Sequence, residues 1–115
     1  MTCQMVITNL SRYYDYTLVL NGRDVMEAAP LRTASIDIEA GQYEVSFKAK
    51  PALDLPGVCK PIHVSIEDGN TLRLQVDTRH VAIEVYDEQG TLLNGKHGFI
   101  CGHVSEGVYV TNPIG

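Results

Sequence analysis

The sequence predicts an all-β fold, an antiparallel β-sandwich of about seven to nine short strands. Three observations carry that expectation. Apolar and polar residues alternate with a period of two through most of the chain. In "QYEVSFKAK", Tyr43, Val45, Phe47 and Ala49 share one face while Glu44, Ser46, Lys48 and Lys50 take the other. Turn-forming pairs interrupt the alternation at Asn21-Gly22, Ala40-Gly41, Gln89-Gly90 and Asn94-Gly95. A chain of 115 residues, 44% of them apolar, suits one domain over residues 1–115 with its own core.

The elements follow in order. In "YDYTLVLN", Tyr16, Leu18 and Leu20 face inward, and Val19 faces out or toward a partner. Asn21-Gly22 then reads as a hairpin turn. Residues 22–31, "GRDVMEAAPL", are the one stretch with room for a helical turn, ended by Pro30. "ASIDIE" offers Ile36 and Ile38 to the core, and Ala40-Gly41 links it tightly to the strand that carries Phe47. "PALDLPGVC", residues 51–59, reads as a loop because of its prolines and glycine. Pro61 suits an edge or a strand start. "PIHVSI" turns Ile62, Val64 and Ile66 in, with His63 and Ser65 out; "TLRLQV" turns Leu72, Leu74 and Val76 in. The four residues between them, Glu67 to Asn70, predict a hairpin. "HVAIEVYD" adds Val81, Ile83 and Val85.

The segments "VLNG", "IDIEAGQYEVSFKAK" and "KPIHVSIEDGNTLRLQV" together resemble PEGA-type β-sandwich domains. In those domains a strand ending in N-G precedes an A-G-x-Y turn, and a G-x-T-x-x-L-x-V strand follows. The resemblance spans roughly residues 3–77, and Ig-like and transthyretin-like sandwiches share much of the pattern. "DVMEAAP" stands where the family has a Gly-x-x-Pro loop, and residues 78–115 have no counterpart. The resemblance implies an adhesive or assembly module without catalysis, commonly in the bacterial envelope.

Charge and motifs restrict the chemistry. A formal charge of −5 with nine basic residues disfavours nucleic acid and anionic membrane surfaces, both of which need a basic patch. No apolar run approaches a membrane span or a secretory signal, which points to the cytoplasm unless a leader has been removed. Three cysteines, Cys3, Cys59 and Cys101, make an odd and sparse set, so reduced thiols are the simpler expectation. No phosphate-binding glycine loop and no nucleophile elbow occur, so no cofactor and no enzyme activity are expected.

Four groups of residues remain as candidates. Cys59 and His63 are four apart, and Cys101 and His103 two apart with His97 in the same parity. These are zinc ligand types, or a thiol redox set, although the spacing is not that of a zinc ribbon. The acidic pairs Glu67-Asp68 and Asp87-Glu88 read as solvated turns, being too few oxygens for calcium unless the fold joins them. "SRYYDY", residues 11–16, places Arg12 and Tyr13 in an exposed position suited to a protein or a carbohydrate, while Tyr14 and Tyr16 continue the inward row. Residues 98–112 carry Val108 and Val110 and are blunted by Pro113. They form either an edge hairpin for homodimerisation or partner docking, or the last strands of the second sheet. The function expected is therefore a binding or assembly module acting through protein contacts.

Overall fold

The computed structural model describes residues 2–50, 59–79, 82–94, 102–105 and 108–111, the last two ranges as backbone. The strands are β1 Cys3–Asn9, β2 Asp15–Leu20, β3 Arg23–Ala28, β4 Thr33–Ile38, β5 Gly41–Lys50, β6 Ile62–Ile66, β7 Thr71–Arg79, β8 Ala82–Asp87, β9 Gly102–Ser105 and β10 Val108–Thr111. No helix occurs among the described residues. The first eight strands build two four-stranded layers, ordered β4-β1-β7-β8 and β3-β2-β5-β6, and the β9–β10 hairpin extends the second layer beyond β6. Every pairing is antiparallel except β1 with β7, which is parallel. The all-β sandwich predicted from alternation is the fold.

The inner rows are the predicted ones. Tyr16, Leu18 and Leu20 on β2 meet Val45 and Phe47 on β5 and Ile62, Val64 and Ile66 on β6, all buried. Opposite them lie Leu72, Leu74 and Val76 on β7 and Ile83 and Val85 on β8. Two strands were not legible as such. In β1, Cys3, Met5 and Ile7 face the core, but Val6 on the outer side is also 9% exposed, so the apolar signal does not alternate. In β3, where a helical turn had room, the chain is instead an edge strand. The register slips between Leu18 and Val19, leaving Val25 without a partner, a bulge that breaks the period of two.

Val19 faces outward, as its parity requires, yet it is only 7% exposed. Its Cα partners are Asp24 on β3 and Ser46 on β5. Lys48 Nζ reaches Asp24 Oδ1 at 3.0 Å, from one neighbour strand to the other across β2, so this ion pair passes over the Val19 region. The cover comes from the same chain.

The Asn21-Gly22 hairpin is observed. Both residues have positive φ, 51° and 81°, as a type I′ turn requires. The turn is also tied to β5: Asn21 N donates to Glu44 O at 2.9 Å, and Glu44 N donates to Asn21 Oδ1 at 2.8 Å. Gly22→Val forces a β-branched residue into the left-handed region and is expected to lower the unfolding free energy by about 1–2 kcal/mol. Urea titration reads this, and an unchanged midpoint would contradict the turn assignment.

Glu67 to Asn70 is not a hairpin. Asn70 N donates to Glu67 O at 3.2 Å, a tight turn, but β6 and β7 lie in different sheets. Ala40 and Gly41 make the same kind of crossing, from β4 to β5. Both flanking strands turn an apolar row to one shared core whether they pair or face each other, so alternation alone does not distinguish a hairpin from a crossing. The loop at residues 51–58, the Asn94-Gly95 turn beyond Asn94, Val81 and Pro113 lie outside the described residues.

Side-chain bonds join the layers where strands end. Asn9, 1% exposed, donates from Nδ2 to Tyr14 O at 2.7 Å and to Ala28 O at 2.9 Å, and accepts from Ser11 N at 2.8 Å. Tyr16 OH bonds Thr78 Oγ1 across the core. Asn94, 7% exposed, accepts from Val85 N at 2.8 Å and donates to Ile83 O at 3.0 Å and Lys60 O at 3.1 Å. Asn9 thus links β1 to β3, and Asn94 links β8 to the approach to β6. Each buried amide satisfies backbone groups that the ladders leave open.

Candidate functional site

Among the described residues, two loops lie together at one end of the sandwich, residues 10–14 between β1 and β2 and residues 29–32 between β3 and β4. They are bonded to each other: Asn9 N donates to Arg32 O at 2.9 Å and Leu31 N to Ser11 O at 3.1 Å. Ser11 is buried, and its Oγ accepts from Tyr13 N and Tyr14 N at 3.1 and 3.2 Å, which fixes the first loop. In the second, Arg32 N donates to Ala29 O at 3.0 Å, with Pro30 and Leu31 at the corner. Leu31 has φ 58°. Proline first and positive φ second define a type II turn, whose second corner is ordinarily glycine or asparagine.

This end carries Leu10 at 40% exposure, Tyr13 at 79% and Leu31 at 62%, leaving Val25 at 37% as the other exposed large apolar side chain among the described residues. Arg12 and Arg32, both exposed, sit beside them. Sequence reading found Arg12 and Tyr13 but missed Leu10 and Leu31. The available signal was the A-P-L-R turn, where leucine occupies the position that calls for glycine. Tyr14 packs on the core and Tyr16 is fully buried, their rings 6.4 Å apart. Tyr13 is the exposed tyrosine of the cluster, with Tyr14 half-buried beside it.

Of the thiol and imidazole candidates, Cys59 and His63 have described side chains. β6 begins at Ile62, so Cys59 precedes the strand and the parity that would put it beside His63 does not apply. Cys59 packs against the core, while His63 is exposed on the outer face between Glu44 and Thr111 in register. Burial pushes the Cys59 thiol from its ordinary 9.0 up to about 11, which disfavours the thiolate that metal binding or redox exchange needs. No group of three or more metal-binding side chains occurs among the described residues. Cys101 and His97 lie outside them, and His103 is placed by its backbone only, paired with Tyr109. Cys3 is a buried free thiol whose Sγ donates to Glu67 O at 3.1 Å. Iodoacetamide at neutral pH should label the half-buried Cys59 more slowly in the folded chain than in the unfolded one, read by peptide mass spectrometry, and equal rates would contradict the raised thiol pKa.

Val108 and Val110 pair with Ile66 and Val64, so β10 is inside the second sheet and β9 forms its rim. The hairpin completes the sheet beside β6. A groove over β5 and β6 is lined by Asn21, Gln42, Glu44, His63 and Ser65, with Tyr43 and Val64 contributing apolar surface. No helix of the described residues is long and apolar enough to cross a membrane. Comparison with protein-family models, with curated proteins and with solved structures returns no match, so the class that can be assigned is that of an all-β sandwich.

Proposed function

We propose that this chain is a non-catalytic module that binds or assembles through protein contacts, and that the end bearing Leu10, Arg12, Tyr13 and Leu31 is its contact surface. Leu31 carries the reading. A leucine at φ 58° costs about 1–2 kcal/mol in backbone strain, and at 62% exposure it recovers little by burial within the chain. Glycine would fit the turn without strain. An exposed apolar residue held in a strained corner, next to an exposed tyrosine and two arginines, is the composition of an interface centre.

The strand order departs from that of an immunoglobulin constant domain. An immunoglobulin constant domain places its first, second, fourth and fifth strands in one sheet, whereas here the first joins the fourth, seventh and eighth. The PEGA-type likeness over residues 3–77 favours a binding or assembly role. Reduced Cys3 and Cys59 suit a reducing compartment such as the cytoplasm.

Affinity enrichment from an extract of the native source, with the wild type and a Tyr13→Asp, Leu31→Asp variant side by side, tests the reading. The wild type should retain a protein that the variant releases. Identical retention by both, or none by either, would overturn it. Both positions are exposed, so the variant is expected to match the wild type in circular dichroism and melting temperature.

A further inference from the structure

Each sheet ends in two edge strands, and among the described residues three of the four are blunted. β8 is capped by its own continuation: Leu93 N donates to Val85 O at 2.7 Å and Asp87 N to Thr91 O at 3.0 Å, with a bridge between Tyr86 and Leu92. β3 is bulged and carries Arg23, Asp24 and Glu27. β9 is four residues long, and its register with β10 shifts. Bulges, charges, short length and a covering segment are the means by which edge strands avoid pairing. β4 has none of them. Its six residues pair with β1 in unbroken register, and they hold one charge, Asp37.

The direction of the main-chain groups on β4 follows from β1, which lies between β4 and β7. Gln4 N donates to Asn70 O, on the β7 side, at 3.1 Å, and Asn9 N donates to Arg32 O, on the β4 side, at 2.9 Å. Successive residues of a strand turn their N–H and C=O to opposite sides. Cys3, Met5, Ile7 and Asn9 therefore bond β4, where they stand opposite Ile38, Ile36, Ala34 and Arg32. The N–H and C=O of Thr33, Ser35 and Asp37 point away from β1, and no strand among the described residues lies on that side. All three residues are exposed. The inner row between them, Ala34, Ile36 and Ile38, packs on the core yet stays half-buried, whereas Ile7, Met5 and Cys3 opposite are at most 2% exposed. The hydrogen-bond ladder and the apolar core are both one strand short at this edge.

We infer that two copies of this chain pair through β4, antiparallel and centred on Ser35, joining their β4-β1-β7-β8 layers into one sheet. Open N–H and C=O groups in ladder phase call for extended main chain, and a second copy supplies it because β4 is complementary to itself. With Ser35 opposite Ser35, Thr33 of each copy lies opposite Asp37 of the other, and every member of these pairs turns its main chain toward the contact. Each such pair exchanges two hydrogen bonds. The side chains agree: two small serines meet at the axis, a threonine hydroxyl faces a carboxylate, and Ala34 lies opposite Ile36 in the inner row. Arg32 of each copy comes alongside Asp37 of the other, while the two Asp37 carboxylates stand four residues apart, about 13 Å at the rise of a strand. Centring on Ile36 keeps the hydrogen-bond phase but brings these carboxylates to diagonal positions at about 7–8 Å, and centring on Asp37 sets them directly opposite. A two-fold contact uses the same patch on both copies and closes at two. It is separate from the loop end and goes beyond the role proposed for that surface.

Sedimentation velocity on the full chain, from micromolar to millimolar, tests this beside a Ser35→Pro variant. Proline removes an N–H that β1 does not use, so β4 keeps its ladder inside the chain. The wild type should form a dimer and nothing larger, and the variant should dimerise at least tenfold more weakly. Cysteine variants read the register without depending on proline. Opposed residues of a bonded pair lie about 5.5 Å apart at Cα, within disulfide range. Under oxidised glutathione, Ser35→Cys alone should link position 35 to position 35. Thr33→Cys alone and Asp37→Cys alone should form no link at the new positions, and their mixture should link 33 to 37. Peptide mass spectrometry separates these links from those of the native cysteines. A monomeric wild type, a Ser35→Pro variant that dimerises as the wild type does, or links in another register overturn the inference. A monomeric wild type that retains from an extract a protein released by Ser35→Pro also overturns it, and assigns the edge to a foreign strand.

Discussion

Replacing Phe47 by alanine is expected to lower the unfolding free energy by about 3–5 kcal/mol, the range for deleting a buried aromatic side chain from a packed core. Phe47 is 3% exposed and lies on β5 opposite Leu18, at the centre of the inner face of the second sheet. The loss combines the transfer free energy of the ring with the cavity that the surrounding β-branched residues cannot close. Guanidinium denaturation with an unchanged slope gives the value directly. A neutral result would mean that β5 is turned over, since a shift of one residue would place Phe47 in solvent and Lys48 in the core.

Asn94→Ala is the second large effect. The amide satisfies the Val85 N–H and donates to Ile83 O, both buried, as well as to Lys60 O, so its removal orphans two buried backbone groups. Each unsatisfied group costs about 1–3 kcal/mol, which places the variant several kcal/mol below the wild type. Asn94→Asp separates the contributions. It keeps the acceptor for Val85 N, loses both donors when ionised, and places a charge in a buried site. Burial raises the carboxyl pKa above its unfolded value, so the aspartate variant should be most stable in acid and lose stability as pH rises through the folded-state pKa. Equal stability at acid and neutral pH would contradict the burial of this side chain.

Alkaline pH tests the core from the other direction. The Cys59 thiol is raised to about 11 by burial, and the Tyr16 phenol, also desolvated, is raised above its ordinary value. Both groups ionise more readily in the unfolded chain. Stability should hold below pH 9 and decline from there to about pH 11, as the unfolded thiol loses its proton before the folded one. Cys59→Val should flatten the thiol's share of that decline.

The sequence made the buried rows of β2, β5, β6, β7 and β8 legible because one face of each meets a core and the other meets water, which is what a period of two records. It did not reveal which sheet each strand joins. Glu67 to Asn70 forms the same tight turn whether the next strand pairs or crosses, and only the tertiary structure, with β1 lying parallel to β7, decides. β3 was hidden because the bulge at Val25 shifts its parity. The parity argument for Cys59 beside His63 does not apply for a related reason, since parity has meaning only inside a strand and β6 starts at Ile62. Arg12 and Tyr13 were legible as exposed because Tyr14 and Tyr16 completed the inward row. Leu10 and Leu31 were not, because an isolated leucine in a loop carries no periodic signal and its exposure depends on how two distant loops meet.

The proposed contact surface is most directly tested by Leu31→Gly, with stability and association measured on the same protein. Glycine takes the second corner of the turn without strain, so the thermal midpoint should rise, by the equivalent of about 1 kcal/mol. Association, read by enrichment, should weaken in the same variant because the projecting side chain is gone. A gain in stability coupled to a loss of binding is the result expected of a residue kept for contact. A loss of stability, or binding that is unchanged, would contradict the account.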